Sequence, residues 1–156
     1  MHFRNATVPD ADFISEALKD ILALHATGRG DIFRPCGAKY DKKAVIKLLS
    51  EEDKHLFVAV EGETVCGYAI CCINIKKDDP VLKDRTVFYL DDLYILPSFR
   101  GKGSGKAFMD HLLDYAKQLD CDSFELNVWE FDGSATDFYK KCGLTTQRRI
   151  MEKPLK

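Results

Sequence analysis

The order of patterns along this 156-residue chain predicts an α/β (α+β) domain with a mixed, mostly antiparallel twisted sheet flanked by helices. Three observations carry that expectation. Apolar residues recur at helical spacing near the start, then change to period-two or continuous apolar runs from Leu56 onward. The first of those runs are joined by short polar breaks, which suits antiparallel neighbours. Later, one run leads through a glycine-rich segment into a helical pattern and then another run, a strand–helix–strand step that makes two strands parallel.

His2 to Thr7 reads as a short strand followed by a Pro9-Asp10 turn. Phe13, Ile14, Ala17, Leu18, Ile21, Leu22 and Leu24 then mark a helix, with Asp10 as its expected cap and an end near Gly28. The stretch from Ala26 to Tyr40 holds three glycines and a proline and reads as a loop beside a substrate. Its Arg29-Gly30-Asp31 tripeptide matches an adhesion sequence, but in a chain without secretory features it is read as coincidence. Lys42 to Leu49 resumes helical spacing. Leu56 to Glu61 and Val65 to Ile75 form a hairpin about Glu61-Gly62-Glu63, and Thr86 to Leu96 is a third strand stopped by Pro97. A helix through Ala107, Phe108, Leu112, Leu113, Tyr115 and Ala116 follows, then a strand from Ser123 to Trp129 and a short helix from Ser134 to Cys142 closed by Gly143. The tail to Leu155 is expected to be a final strand, so the whole order is βααβββαβαβ. No repeat or linker divides the chain, and one domain over residues 1–156 is expected.

A formal net charge of −2 and the lack of a basic patch argue against nucleic acid as partner. No apolar run approaches the roughly 20 residues of a membrane span, and the first residues lack a leader's apolar stretch, so a cytoplasmic protein is expected. Six cysteines without a C-x-x-C pair and four scattered histidines give no metal-ligand spacing, so no metal site is expected. Cys66, Cys71 and Cys72 lie in an apolar stretch and read as reduced core thiols.

The segment from Tyr89 to Lys106 is a strand, a turn and a glycine-rich helix start. Such a start binds anions: the first helical turn leaves N–H groups unpaired, its dipole favours negative charge, and glycine lets a phosphate approach the backbone. Three phosphate motifs compete. A P-loop ending at Gly105-Lys106 would need glycine at Arg100 and Ser or Thr at Ala107, and fails at both. The dinucleotide fingerprint starting at Gly101 and Gly103 meets Lys106 where its third glycine belongs. R-x-x-G-x-G fits, through Arg100, Gly103 and Gly105.

Leu90 to Phe108 resembles the central motif of the GNAT acyltransferases, and Asn127 to Leu144, with its Ala-x-x-Phe-Tyr-x-x-x-Gly core, resembles the motif that follows it in that family. The resemblance implies a sheet splayed at the cofactor site and acetyl-CoA (CoA) as cofactor. It implies that the backbone of Arg100, Gly101, Lys102, Gly103, Ser104, Gly105 and Lys106 binds the pyrophosphate. Leu93, Tyr94 and Ile95 would lie along the pantetheine, an amide chain able to pair with a strand edge. Transfer to an amine needs a neutral nucleophile, so a carboxylate base is useful; Asp91 is the first candidate and Asp92 the second, facing opposite sides by the period-two rule. Tyr139 matches the family's general-acid tyrosine. Asp132 stands where an asparagine that touches the cofactor is usual, and Ser134 either caps the last helix or touches the pantetheine. The expected function is acetyl transfer from acetyl-CoA to a primary amine, a small molecule or a peptide N-terminus. The alternative is a non-catalytic acyl-CoA-binding or sensing module of the same fold. A homodimer is an expectation by family analogy.

Overall fold

A computed structural model of the chain describes residues 1–131 and 133–155. Strand β1 (His2–Asn5) leads through a short 3-10 turn (Val8–Asp10) into α1 (Ala11–Gly28) and, after an irregular segment, α2 (Lys42–Leu48). Strands β2 (Lys54–Glu61), β3 (Thr64–Lys76) and β4 (Arg85–Ile95) come next, then a 3-10 turn (Pro97–Phe99), helix α3 (Ser104–Gln118), strand β5 (Ser123–Leu126) and helix α4 (Ser134–Lys141).

The five strands form one sheet in the order β1-β2-β3-β4-β5. β1 to β4 are antiparallel neighbours, and β4 pairs with β5 in parallel across the α3 crossover, as the period changes predict. Each sheet face buries an apolar set. On one, Ile14 and Leu18 of α1 and Val45 of α2 cover Val58, Tyr68, Ile70 and Tyr94. On the other, Phe108, Met109 and Leu112 of α3 cover Phe57, Ala69, Cys71 and Phe88. Phe3 stacks on Phe108 at 4.8 Å, tying the first strand to α3.

Three expectations are corrected. Asp10 stands at the start of α1 but makes no cap bond to that helix. Its buried carboxylate accepts instead from both Arg4 guanidinium nitrogens (2.7 and 2.9 Å) and from the Thr7 amide (2.7 Å) and hydroxyl (2.8 Å), so it locks the turn before the helix. β5 ends at Leu126 rather than Trp129, because its partner β4 diverges there. The tail from 145 to 155 carries no strand; Ile150, Met151 and Leu155 are almost fully exposed and find no burial that would reward pairing.

Candidate active site

The site begins where the sheet opens. The last β4–β5 pair is Leu90 with Leu126, and β4 then runs on from Asp91 to Ile95 with β3 on one side and, among the described residues, no strand on the other. Over those residues the backbone groups facing β5 are left for another partner. The opening is the splay that the family resemblance implies.

At the same place β4 is bulged. Ile70 of β3 opposes Asp92 while the next residue, Cys71, opposes Leu90, so Asp91 is extra. The bulge overturns the expectation that the two aspartates face opposite sides. The Lys39 ammonium lies 2.7 Å from Asp91 Oδ2 and 3.0 Å from Asp92 Oδ2, so both carboxylates meet on one face. The same shift shows in the apolar residues: Phe88 and Leu90 share the α3 face with Leu93 and Ile95, which breaks the period of two between Leu90 and Leu93. Gly67, opposite Ile95, makes the close packing of β3 on the end of β4 possible. A Cβ on it would lie 2.6 Å from the Tyr94 carbonyl oxygen and 2.5 Å from Ile95 Cδ1.

The two acids differ in exposure, 28% for the Asp91 side chain and 9% for Asp92. Burial pushes Asp92 up to about 6 despite the opposing charge and hydrogen bond of Lys39. Burial disfavours the charge on Lys39, but Asp92 and Asp91 outweigh it and raise that pKa. The pair therefore holds a cation firmly while keeping one carboxylate close to the pH at which it can accept a proton.

Two tyrosines face the same charge. Tyr139, in α4 beside Phe138, is pushed up to about 12 by burial and then by Asp92, so its hydroxyl keeps its proton at neutral pH. Tyr68 lies on β3 opposite Tyr94, fully buried, and its hydroxyl has no hydrogen-bond partner among the described residues. Burial and the charge of Asp92 raise its pKa.

The glycine-rich loop connects β4 to α3. Gly101 (φ +74°) and Gly103 (φ +83°) are left-handed, a conformation that side-chain-bearing residues adopt at a cost, and Gly103 is the residue from which α3 starts. Gly105 is needed for a different reason: a Cβ there would meet the Phe138 ring at 3.1 Å. Among the described residues, the N–H groups of Gly101 to Lys106 have no intramolecular acceptor. Six amides at a helix start, with Lys102 and Lys106 beside them, fit a pyrophosphate. Arg100 turns inward, donating from Nε to the Ile95 carbonyl at 2.7 Å, and so pins the loop to the end of β4.

A cavity of about 1240 Å³ lies between β5, α4 and the tail; Tyr89, Tyr139, Arg29, Trp129 and Phe131 are among its walls, whereas no residue of the loop 100–106 is. Phe33 packs edge-on to Trp129 (5.0 Å) and stacks on His25 (4.8 Å), which closes the irregular segment after α1 over this side. Arg29 sits 5.7 Å above Trp129 and pairs with Glu152 of the tail at 2.6 Å.

Residues 19–144 match the sequence profile of the Acetyltransferase (GNAT) family. The chain belongs to the GNAT family. It is similar to an uncharacterized N-acetyltransferase of Methanocaldococcus jannaschii, with 30% identity over 93 residues, 60% of this chain and 39% of the relative. It is also similar to the thialysine N-epsilon-acetyltransferase of Bos taurus, with 29% identity over 83 residues, 53% of this chain and 46% of the relative. The chain thus spans less than half the length of these two relatives. Among solved structures, the tetramutant of the BH1408 protein from Bacillus halodurans superposes with a TM-score of 0.93 at 28% identity, covering 99% of this GNAT chain and 100% of that one. An aminoglycoside N-acetyltransferase in complex with CoA shares the fold with a TM-score of 0.70 at 14% identity, over 99% of both chains.

Of the residues expected at the site, Asp91, Asp92, Leu93, Tyr94 and Ile95 lie on the open stretch of β4, and 100–106 form the loop at its end. Tyr139 stands within reach of the charge of Asp92. Tyr94 does not face the open edge with its side chain: its hydroxyl donates to Asp20 of α1 at 2.6 Å. Gly133 (φ +73°) occupies the cap position of α4, and Ser134 is the first helical residue after it. Asp132 lies outside the described residues. Sequence reasoning missed Lys39 and Tyr68. The step from Leu90 to Leu93 was the available signal for the bulge; nothing local in sequence joins Lys39 to a carboxylate 53 positions away.

Proposed function

We propose that this GNAT chain, as one domain over residues 1–156, transfers an acetyl group from acetyl-CoA to a primary amine by direct attack on the thioester. The observation that carries this reading is the acid pair at the first residues of β4 beyond its pairing with β5, on the strand that leads into the loop whose amides from Gly101 to Lys106 have no acceptor among the described residues. The loop from Arg100 to Lys106 would hold the pyrophosphate and the edge from Leu93 to Ile95 the pantetheine, which presents an activated acetyl thioester. An alkylamine near pKa 10.4 is neutral about once in a few thousand molecules at pH 7, so a nearby carboxylate able to take its proton raises the reactive fraction. Burial favours Asp92 as that base, with the more exposed Asp91 holding the ammonium in place. Tyr139, protonated at neutral pH, is suited to donate to the departing sulfur. The names of the relatives, a thialysine N-epsilon-acetyltransferase and an aminoglycoside N-acetyltransferase, support a small-molecule amine as acceptor, and a peptide N-terminus is the other acceptor class of this reading. A homodimer belongs to the same reading by family analogy, and a cytoplasmic location by the lack of a long apolar run.

The test is thiol release from acetyl-CoA against polyamines, aminoglycosides, amino acids and peptide N-termini, with Asp92→Asn and Tyr139→Phe beside the wild type. Acceptor-dependent release that falls about a hundredfold in each variant is expected. Binding of acetyl-CoA without release to any amine would replace the enzyme with an acyl-CoA sensor of the same fold.

A further inference from the structure

The position that an acceptor ammonium would take is filled by a side chain of the protein. Lys39 belongs to the irregular segment between α1 and α2, anchored by Ala38 and Tyr40, which pack against the α1–α2 core. Its ammonium bridges both carboxylates at 2.7 and 3.0 Å, while the lysine side chain stays 42% exposed. Asp91 follows directly on Leu90, the last residue of β4 with a partner on β5, so this nitrogen sits at the mouth of the opening. It is a primary alkylamine, the chemical class the acid pair is suited to activate.

We propose that Lys39 is itself an acetyl acceptor, an internal substrate that is acetylated when no external amine displaces it from Asp91 and Asp92. The proposal rests on the acetyl-transfer reading above. In the step, the ε-ammonium gives one proton to Asp92, and the neutral nitrogen attacks the thioester carbonyl. The C–N bond forms as the C–S bond breaks. The second nitrogen proton ends on the CoA sulfur, and Asp92 returns its proton to solvent, so lysine and acetyl-CoA become acetyl-lysine, CoA thiol and one released proton. The product is a neutral amide that cannot neutralise two carboxylates. Acetylation therefore frees the acid pair, leaving the acceptor position open to an outside ammonium.

The experiment incubates the full chain with acetyl-CoA labelled in the acetyl group and no acceptor, after calorimetry has measured cofactor binding in the same sample. Intact mass and peptide mapping then locate the label. One acetyl group on Lys39 is expected, slowed about a hundredfold by Asp92→Asn and slowed by excess butylamine. Lys39→Arg keeps the ion pair and the fold, and its digest should carry no label in the segment from 29 to 41. Exposed Lys19 and Lys47 report non-enzymatic acetylation, which neither variant alters. Binding of acetyl-CoA with transfer to butylamine but no label on Lys39 would overturn the inference and leave the acetyl-transfer reading standing. Label spread evenly over surface lysines, unaffected by Asp92→Asn, would also overturn it. No binding of acetyl-CoA would overturn both.

Discussion

Replacing Lys39 by methionine removes the charge that holds Asp92 down while keeping the length of the side chain. In the intact site Asp92 is pushed up to about 6 by burial, with the Lys39 charge and hydrogen bond lowering it and Asp91 raising it. Two unit charges 3.0 Å apart attract by about 5.5 kcal/mol at an effective dielectric near 20. Lys39 is 42% exposed, so solvent screens much of that, and an upward shift of about one to two pKa units is expected. The carboxylate serves as base only when ionised, so activity falls as the pH drops through its pKa. The acidic limb of kcat/KM should therefore move from near pH 6 to about one to two units higher in Lys39→Met. The stability sign follows from the same shift. A carboxyl raised above its unfolded value contributes stability that is fully present below about pH 4. That contribution is lost as the pH rises through about 6. In Lys39→Met the loss extends to higher pH. The assay is a pH profile of kcat/KM on one amine acceptor, with Lys39→Arg as the variant that keeps the charge and the wild-type limb. An acidic limb unmoved in Lys39→Met, or moved to lower pH, would refute the reasoning.

Tyr139→Phe keeps the packing against Phe138 and removes the hydroxyl. It should lower kcat by about a hundredfold with KM within about threefold, read by steady-state thiol release. Gly67→Ala drives a Cβ into the Tyr94 carbonyl at the end of β4; it should cost about 3 kcal/mol and lower Tm by about 6–12 °C in calorimetry. Asp10 is buried and accepts from the Arg4 guanidinium and from the amide and hydroxyl of Thr7, so Arg4→Met leaves its carboxylate short of a counter-ion. About 2 kcal/mol of stability should be lost at pH 7 in urea unfolding. Asp10 is also held below the usual carboxylate range: burial pushes it up, but the Arg4 and Thr7 bonds win. Its contribution is present above the unfolded pKa and is lost as the pH falls through the folded one, so the gap between wild type and Arg4→Met should close in acid.

Element type and order were legible wherever one period ran without interruption. The α1 residues from Phe13 to Leu24 keep helical spacing along their whole length, and the β2–β3 hairpin turns at Gly62, whose φ of +60° marks the reversal. The conformation of the loop from Arg100 to Lys106 could be read because the left-handed turns before α3 fall on Gly101 and Gly103, both visible in sequence. The acid pair could be read only as two adjacent aspartates. Strict alternation puts them on opposite faces; one extra residue in β4 puts them on one, and its trace in the sequence is the spacing of Leu90 and Leu93. Asp10 was misjudged because a cap and a buried ion pair ask for the same residue, and the deciding partner, Arg4, lies on a strand across the turn. The tail to Leu155 was expected to be a strand, but an apolar residue favours pairing only where there is a surface to bury it, and Ile150 and Met151 are exposed.

The central claim, that the β4 edge and the amides after it form a CoA site, is tested most directly by amide chemical shifts. Uniformly ¹⁵N-labelled protein is titrated with CoA, and the resonances that move are assigned. The account predicts that the largest changes fall on the glycine amides of 101, 103 and 105 with their neighbours to Lys106, and on Leu93 to Ile95. Saturable changes confined to another surface, or none at millimolar CoA, would contradict it.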